Sequence, residues 1–242
     1  MFSLYLKEVK GFFSNLTGYI VITIFLLANN ILMWLYPSQF NVLDAGYASM
    51  DTLFILAPWI FLFLVPAITM KMFAEEKKSG TLELLLSRPL TDLQIVLAKY
   101  FAAITLVLLS LIPFIISYIS IYLLGNPVGN IDTGATWGSM IGLFMLGAIY
   151  ASLGIFTSSL SDNIIIAFIY ALVLSFIFYI GFDSLAKIPV FESISTFILY
   201  LGINDHYQSI SRGVIDIRDI VYFIGVISLF VLLTRARLQS RK

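Results

Sequence analysis

The chain has 242 residues, of which 60% are hydrophobic and 12% charged, and its mean hydropathy is +0.98. Soluble domains carry about 25% charged residues, so most of this apolar surface must face lipid rather than water. A formal net charge of zero argues against a nucleic-acid partner, because binding to a phosphate backbone needs a basic surface. With no Cys and one His, the sequence excludes disulfides, Cys-ligated metals and paired-His metal sites, and we predict no cofactor bound by this chain.

Six stretches are long and apolar enough to cross a bilayer, since a hydrocarbon core of about 30 Å needs about 20 helical residues. The first begins near Leu16. It is too long for a signal-peptide core and no small-residue cleavage motif follows it, so we expect it to be retained. We therefore predict an all-α integral membrane protein with one transmembrane domain, residues 1–242. The predicted spans are residues 17–36, 53–72, 96–124, 137–160, 164–182 and 220–234.

Lysine and arginine residues are distributed unevenly about these spans. If both termini are cytoplasmic, every Lys and Arg residue except Lys187, Arg212 and Arg218 lies on the inner side. This inner group includes Arg88, Arg241 and Lys242. Because cytoplasmic loops of membrane proteins are enriched in these residues, we predict both termini inside. The expected location is a bacterial inner membrane, crossed several times.

Two amphipathic segments accompany the spans. Residues 1–16 place aromatic and aliphatic residues at helical spacing, which predicts a helix at the inner membrane surface. It is either a plain anchor or a contact for a partner. Residues 188–203, in an external loop 183–219, are read as an amphipathic helix in the outer interface. They are too short for a seventh span and contain Pro189 and Glu192.

Several helix boundaries carry local signals. Thr91 and Gln94 have the spacing of a capping box, which predicts the start of the third membrane helix, and Pro127 follows its end. The short turn 161–163 contains N-cap residues and predicts antiparallel fourth and fifth helices. Asp216 is a candidate cap for the sixth span.

The connection between the second and third spans, residues 74–92, is the substantial cytoplasmic segment. Gly80 permits a chain break, and a short helix is predicted from Thr81 to Arg88, ended by Pro89. One apolar stripe on this helix is formed by Leu82, Leu85, Leu86 and Pro89. Such a helix either acts as a rigid lever that docks on a soluble partner or rests on the membrane surface.

The run Glu75–Leu90, with the sequence EEKKSGTLELLLSRPL, resembles the signature of the ABC-2 type permease family. Its approach 65–70, its exit 94–100 and the segment 211–219 look similar to that family as well. With its length and its six spans, the whole chain is most similar to gliding-motility-associated permease subunits.

The resemblance implies a role for the 74–92 connection. Two permease subunits would pair, and each would bind a cytoplasmic ABC ATPase that carries ATP and Mg²⁺. Glu76 and Glu83 would meet basic groups of the ATPase, and leucines of the stripe would fill its groove. The implied coupling residues are Glu76, Gly80, Thr81, Leu82, Glu83, Leu85, Leu86 and Pro89. The sequence contains no GxxxxGK[ST] phosphate loop, so we expect the ATPase to be another chain and this one to be no enzyme.

Polar residues and prolines inside the spans have two readings each. Asn29 and Asn30 lie in the middle of the first span, where amides need partners, so they form interhelical hydrogen bonds or line a pore. Pro58, Pro66 and Pro113 are expected to kink the second and third helices. These kinks are either structural or part of a gate.

Gly138 and Gly142 form a GxxxG motif on the fourth helix, which predicts close helix packing or a contact between two permease subunits. Lys71 and Lys99 lie near span ends, where their side chains are expected to reach the interface. His206, in the external loop, is expected at the surface.

Three other function classes remain as alternatives. Secondary transporters and channels usually place ionisable residues in mid-membrane, and the predicted spans have none in their middle. An intramembrane enzyme needs a clustered nucleophile and base or paired metal ligands. A membrane anchor that positions a partner shares every feature except transport.

Overall fold

A computed structural model of the chain describes residues 1–87, 89–213 and 216–240, apart from the side chain of Thr17. Within these residues every regular element is a helix and no strand is present, as expected of backbone that must satisfy its hydrogen bonds in lipid. Some residues used in the sequence analysis lie outside the described part: Arg88, Val214, Ile215, Arg241 and Lys242.

The helices follow one another through short connections. In chain order they are α1 (Phe2–Ser14), α2 (Leu16–Asn30), α3 (Asp51–Thr69), α4 (Lys71–Lys78), α5 (Thr81–Leu86), α6 (Asp92–Leu111), α7 (Phe114–Leu124), α8 (Thr133–Leu160), α9 (Ile164–Phe176), α10 (Phe182–Ala186), α11 (Ser195–Leu201), α12 (Ile203–Ile210) and α13 (Ile217–Gln239). Short π-helical turns, Ile31–Leu35 and Ile177–Gly181, extend α2 and α9.

Six helical stretches in the described residues are long and apolar enough to cross a membrane, which agrees with the predicted number. They are Gly18–Leu35, Asp51–Lys78, Asp92–Leu124, Thr133–Leu160, Ile164–Ala186 and Ile217–Gln239. An even number of spans brings α1, the α4–α5 connection and the end of α13 to one end of the bundle. We call this end the terminal face, and the other end the opposite face.

Helix α8 is the centre of the bundle and packs against α3, α6, α9 and α13. Small residues let these neighbours approach closely, as is common in membrane helix packing. A Cβ atom at Gly147 would collide with Val107, and one at Gly154 would collide with Thr69. The fourth span therefore needs glycine where α6 and α3 cross it.

The predicted boundary signals are confirmed. Thr91 and Gln94 form a reciprocal capping box at the start of α6. Asn163 caps α9 through a hydrogen bond from the Ile165 N–H, and Asp216 caps α13. The α7 helix ends just before Gly125.

The three span prolines behave differently from one another. Pro113 interrupts the third span, which is divided into α6 and α7. Pro58 lies inside α3, which remains continuous, and both Pro58 and Pro66 are buried. After Pro66 the helix continues only to Thr69, and Met70 joins it to α4.

The segment before the last span differs from the single amphipathic helix predicted for residues 188–203. It comprises a 3₁₀ helix, Pro189–Ile194, followed by α11, and then α12 beyond Gly202. Helix α12 packs against α8, and the Tyr207 hydroxyl donates a 2.7 Å hydrogen bond to the Phe54 carbonyl of α3. Part of this segment therefore inserts into the bundle, because its apolar residues have a partner there.

The predicted surface position of His206 is wrong. The side chain is only 8% exposed and stacks on Tyr222, with ring centroids 3.9 Å apart. Its Nδ1 lies 2.7 Å from the Asp219 carboxylate, and its Nε2 lies 3.0 Å from the Tyr200 carbonyl. His206 thus joins α11, α12 and the last span. The sequence alone does not reveal these contacts, because it shows only one histidine in a predicted external loop.

Candidate functional site: the connection between α3 and α6

The connection is built from two short helices separated by a glycine turn. Helix α4 extends the second span to Lys78, and Gly80 adopts a left-handed φ of 70°, which favours glycine. Helix α5 then runs from Thr81 to Leu86. The predicted chain break at Gly80 and the start at Thr81 are confirmed.

The joint between α3 and α4 is held by α8. The Ser158 hydroxyl accepts hydrogen bonds from the backbone N–H groups of Phe73 and Ala74, at 3.0 and 3.1 Å. The same hydroxyl donates to the Met70 carbonyl at 2.8 Å. One side chain of the central helix therefore satisfies the backbone groups at this junction, which fixes the direction in which α4 leaves the bundle.

Leu82 and Leu85, which the family resemblance assigns to docking on a partner, do not face outward in this chain. These side chains are only 5% and 7% exposed and belong to the buried core of this chain, with α5 packed against α4. Leu86 is half-buried. An apolar stripe is stable when it is shielded from water, and here other residues of the same chain shield much of it.

The outward surface of α5 carries a leucine that the sequence analysis missed. Leu84 is 68% exposed. Thr81 and Glu83 of the same helix are exposed as well, and so is Pro89, which follows the helix. A leucine on the polar side of an amphipathic helix was the available signal. We define this set, Thr81, Glu83, Leu84 and Pro89, as the outer surface of α5.

Glu76 does not face outward as predicted, because its largely buried carboxylate belongs to an ionic cluster centred on Lys99. The Lys99 ammonium of α6 is fully buried and lies 2.8 Å from Glu8 Oε1, 3.1 Å from Glu76 Oε2 and 2.6 Å from the Met72 carbonyl. Lys7 of α1 lies 3.3 Å from Glu76 Oε1. The cluster ties α1, α4 and α6 together beside the candidate site.

This finding corrects the expectation that Lys99 reaches the interface. Lys99 lies seven residues after the start of α6, about 10 Å along the helix, and Phe73 lies beneath it at 5.0 Å from the ring centroid. A buried ammonium requires neutralising partners, and here two carboxylates and a carbonyl provide them.

A second tie joins α4 to the turn between α8 and α9. The Lys77 ammonium donates to the Ser159 carbonyl and lies 3.8 Å from Asp162, and its side chain is 1% exposed. Helix α4 is thus fixed to α1, α6 and α8 by polar contacts. A force applied to α5 would reach several membrane helices through this helix.

The predicted polar residues of the first span lie apart from this site. Asn29 is fully buried and donates to the Phe25 carbonyl of its own helix, so its amide makes no interhelical bond among the described residues. Asn30 donates to the Leu26 carbonyl, and its Oδ1 accepts a long 3.5 Å contact from Ser117 of α7.

The GxxxG glycines pack within this chain. A Cβ at Gly138 would meet the backbone of Gly213 at 2.8 Å, and one at Gly142 would meet Ile210 at 2.7 Å. These positions therefore hold the segment before the last span against α8. Among the described residues no group of three His, Cys, Asp or Glu side chains is placed to hold a metal ion.

In a comparison with known families, a family model described as an ABC-2 family transporter protein matches residues 7–241, which is nearly the whole chain. No curated protein matches the sequence significantly.

Proposed function

The chain belongs to the ABC-2 transporter family and is a membrane subunit of an ABC transporter. We propose that its 74–92 connection is the coupling segment, which receives force from the ATPase. Members of this family associate with an ABC ATPase subunit and are not themselves catalytic. ATP and Mg²⁺ would bind to that subunit, which lies in the cytoplasm and faces the terminal face.

One observation carries the proposal. The outer surface of α5 is exposed, whereas α4 behind it is fixed by Ser158, Lys99 and Lys77 to two membrane helices, α6 and α8. A rigid connection with one open surface can transmit a movement that a flexible loop would absorb. Leu84, rather than the buried Leu82 and Leu85, would enter the groove of the ATPase, and Glu83 would meet its basic groups.

The finer assignment rests on sequence resemblance. With its length and its six spans, the whole chain is similar to gliding-motility-associated permeases, so we propose an exporter-type complex of that kind in a bacterial inner membrane. Two permease subunits would pair in it. The concentration of Lys and Arg about the terminal face supports a cytoplasmic position for both termini.

The test compares two substitutions of equally exposed leucines. Leu84→Asp changes the outer surface of α5, and Leu43→Asp makes the same change at a 63% exposed residue on the opposite face. We expect Leu84→Asp to abolish association with the ABC ATPase and the coupled ATP hydrolysis in proteoliposomes, whereas Leu43→Asp leaves both intact. Unchanged association in the Leu84→Asp protein would refute the coupling proposal.

A further inference from the structure

A cleft of about 340 Å³ opens beside the ionic cluster, between α1 and the junction of α3 and α4. Its floor contains apolar residues of the first and second spans, Val21, Ala67 and Ile68. Its rim contains Lys71 and Glu75, from the last two turns of the Asp51–Lys78 stretch, and Ser79 just after it. We call it the α1–α4 cleft.

From the length of α3 we place the cleft at the level where the membrane ends. Helix α3 has 19 residues and is about 28 Å long, close to the roughly 30 Å thickness of a hydrocarbon core. Lys71 follows two residues after its last residue, Thr69. The apolar floor is thus at the depth of acyl chains, and the polar rim is at the depth of headgroups.

Two charged rim residues have no partner among the described residues. Lys71 is half-buried, and no ion pair or hydrogen bond involves its ammonium. Glu75, one helical turn later, is exposed and has no side-chain partner. The other charges at the cleft, those of Lys7, Glu8 and Glu76, are already satisfied within the ionic cluster that includes Lys99.

We propose that the α1–α4 cleft binds one membrane phospholipid whose phosphate lies on Lys71 and whose ammonium group lies near Glu75. Lysine is a common phosphate ligand, and Lys71, which lines the cleft without a protein acceptor, can bind an anion there. The cleft and its cluster contain three lysines and three glutamates, so a neutral, zwitterionic headgroup fits better than an anionic one. This site does not depend on the proposed function.

The experiment offers defined lipids to the delipidated full chain in detergent and counts bound lipids by native mass spectrometry. We expect phosphatidylethanolamine to bind about tenfold more tightly than diacylglycerol, and more tightly than phosphatidylglycerol, because each charge-assisted hydrogen bond contributes about 1.5 kcal/mol or more. Inorganic phosphate at millimolar concentration should not displace it. Equal binding of diacylglycerol, equal binding of phosphatidylglycerol or displacement by phosphate would each overturn the proposal.

Variants assign the binding to the cleft. Lys71→Gln should weaken phosphatidylethanolamine binding by about tenfold. Lys71→Arg, which keeps the charge, and Lys78→Gln, an exposed lysine of α4 outside the cleft, should bind as the parent chain does. Ala67→Phe, which fills the floor, should also reduce binding. Parent-like binding by Lys71→Gln, or loss in Lys78→Gln, would contradict the site.

Discussion

At the scale of single residues, a few buried ionisable groups form contacts that join distant parts of the sequence. Lys99 contacts Glu8, 91 positions earlier, as well as Glu76. Buried ion pairs contribute little net stability when formed, but the loss of one partner leaves an uncompensated charge. Substitutions in this cluster therefore test whether its ion pairs hold α1 against the bundle.

Lys99→Met should lower the free energy of unfolding by about 3 kcal/mol, because Glu8 and Glu76 would lose their buried counter-charge. Lys10→Met, at an exposed lysine of α1, serves as the control and should change stability little. Unfolding in mixed micelles with increasing SDS measures both. In the Lys99→Met background, Glu8→Gln with Glu76→Gln should restore much of the loss; a further decrease would contradict the cluster.

The buried histidine gives a second prediction at this scale. His206→Ala should destabilise the chain by about 2 kcal/mol, because Asp219 would remain buried without its partner. Gln208→Ala, at an exposed residue of the same helix, is the matched control. The same unfolding titration compares them, and equal stability of the two variants would show that the His206–Asp219 contact does not hold α12 to α13.

At the scale of elements, the central helix α8 determines how the others cross. Its glycines lie where α3, α6 and α12 approach, and Ser158 joins it to the start of α4. The exposed parts of α2 and α9, by contrast, carry large apolar side chains that suit lipid. The bundle is thus organised about one helix rather than about a polar channel wall.

Gly154→Ala should destabilise the protein by about 1–3 kcal/mol, since the added methyl group would collide with Thr69 of α3. Gly225→Ala on α13 is the control, because nothing lies within 4 Å of its Cβ position. Thermal inactivation in detergent should occur at a lower temperature for the first variant alone. Similar curves for both variants would mean that α3 does not cross α8 at this glycine.

At the scale of the whole molecule, the sequence predicts what depends on nearby residues. The capping box at Thr91, the turn at Gly80 and the caps at Asn163 and Asp216 each involve neighbours within a few positions, and all were predicted correctly. The number of spans follows equally from local hydropathy. Such signals require no knowledge of tertiary contacts.

Tertiary partners could not be predicted in the same way. The spacing of Leu82 and Leu85 reveals an apolar face, but it does not reveal that this chain rather than a partner covers it. A lone Lys99 in an apolar helix is compatible with reaching the interface and with burial, and only the position of Glu8 decides between them. The sequence therefore predicts the segment 74–92 as the candidate site, but it does not identify Leu84 as the exposed leucine of α5.

In the proposed arrangement, the outer surface of α5 faces the cytoplasm and contacts an ABC ATPase. Because the chain has no cysteine, Leu84→Cys and Leu43→Cys each introduce a single thiol at an exposed position. With a membrane-impermeant maleimide, the account predicts that Leu84→Cys is labelled only in permeabilised cells and is protected when the ATPase is bound, whereas Leu43→Cys is labelled in intact cells. Labelling of Leu84→Cys from outside, or without protection by the ATPase, would contradict it.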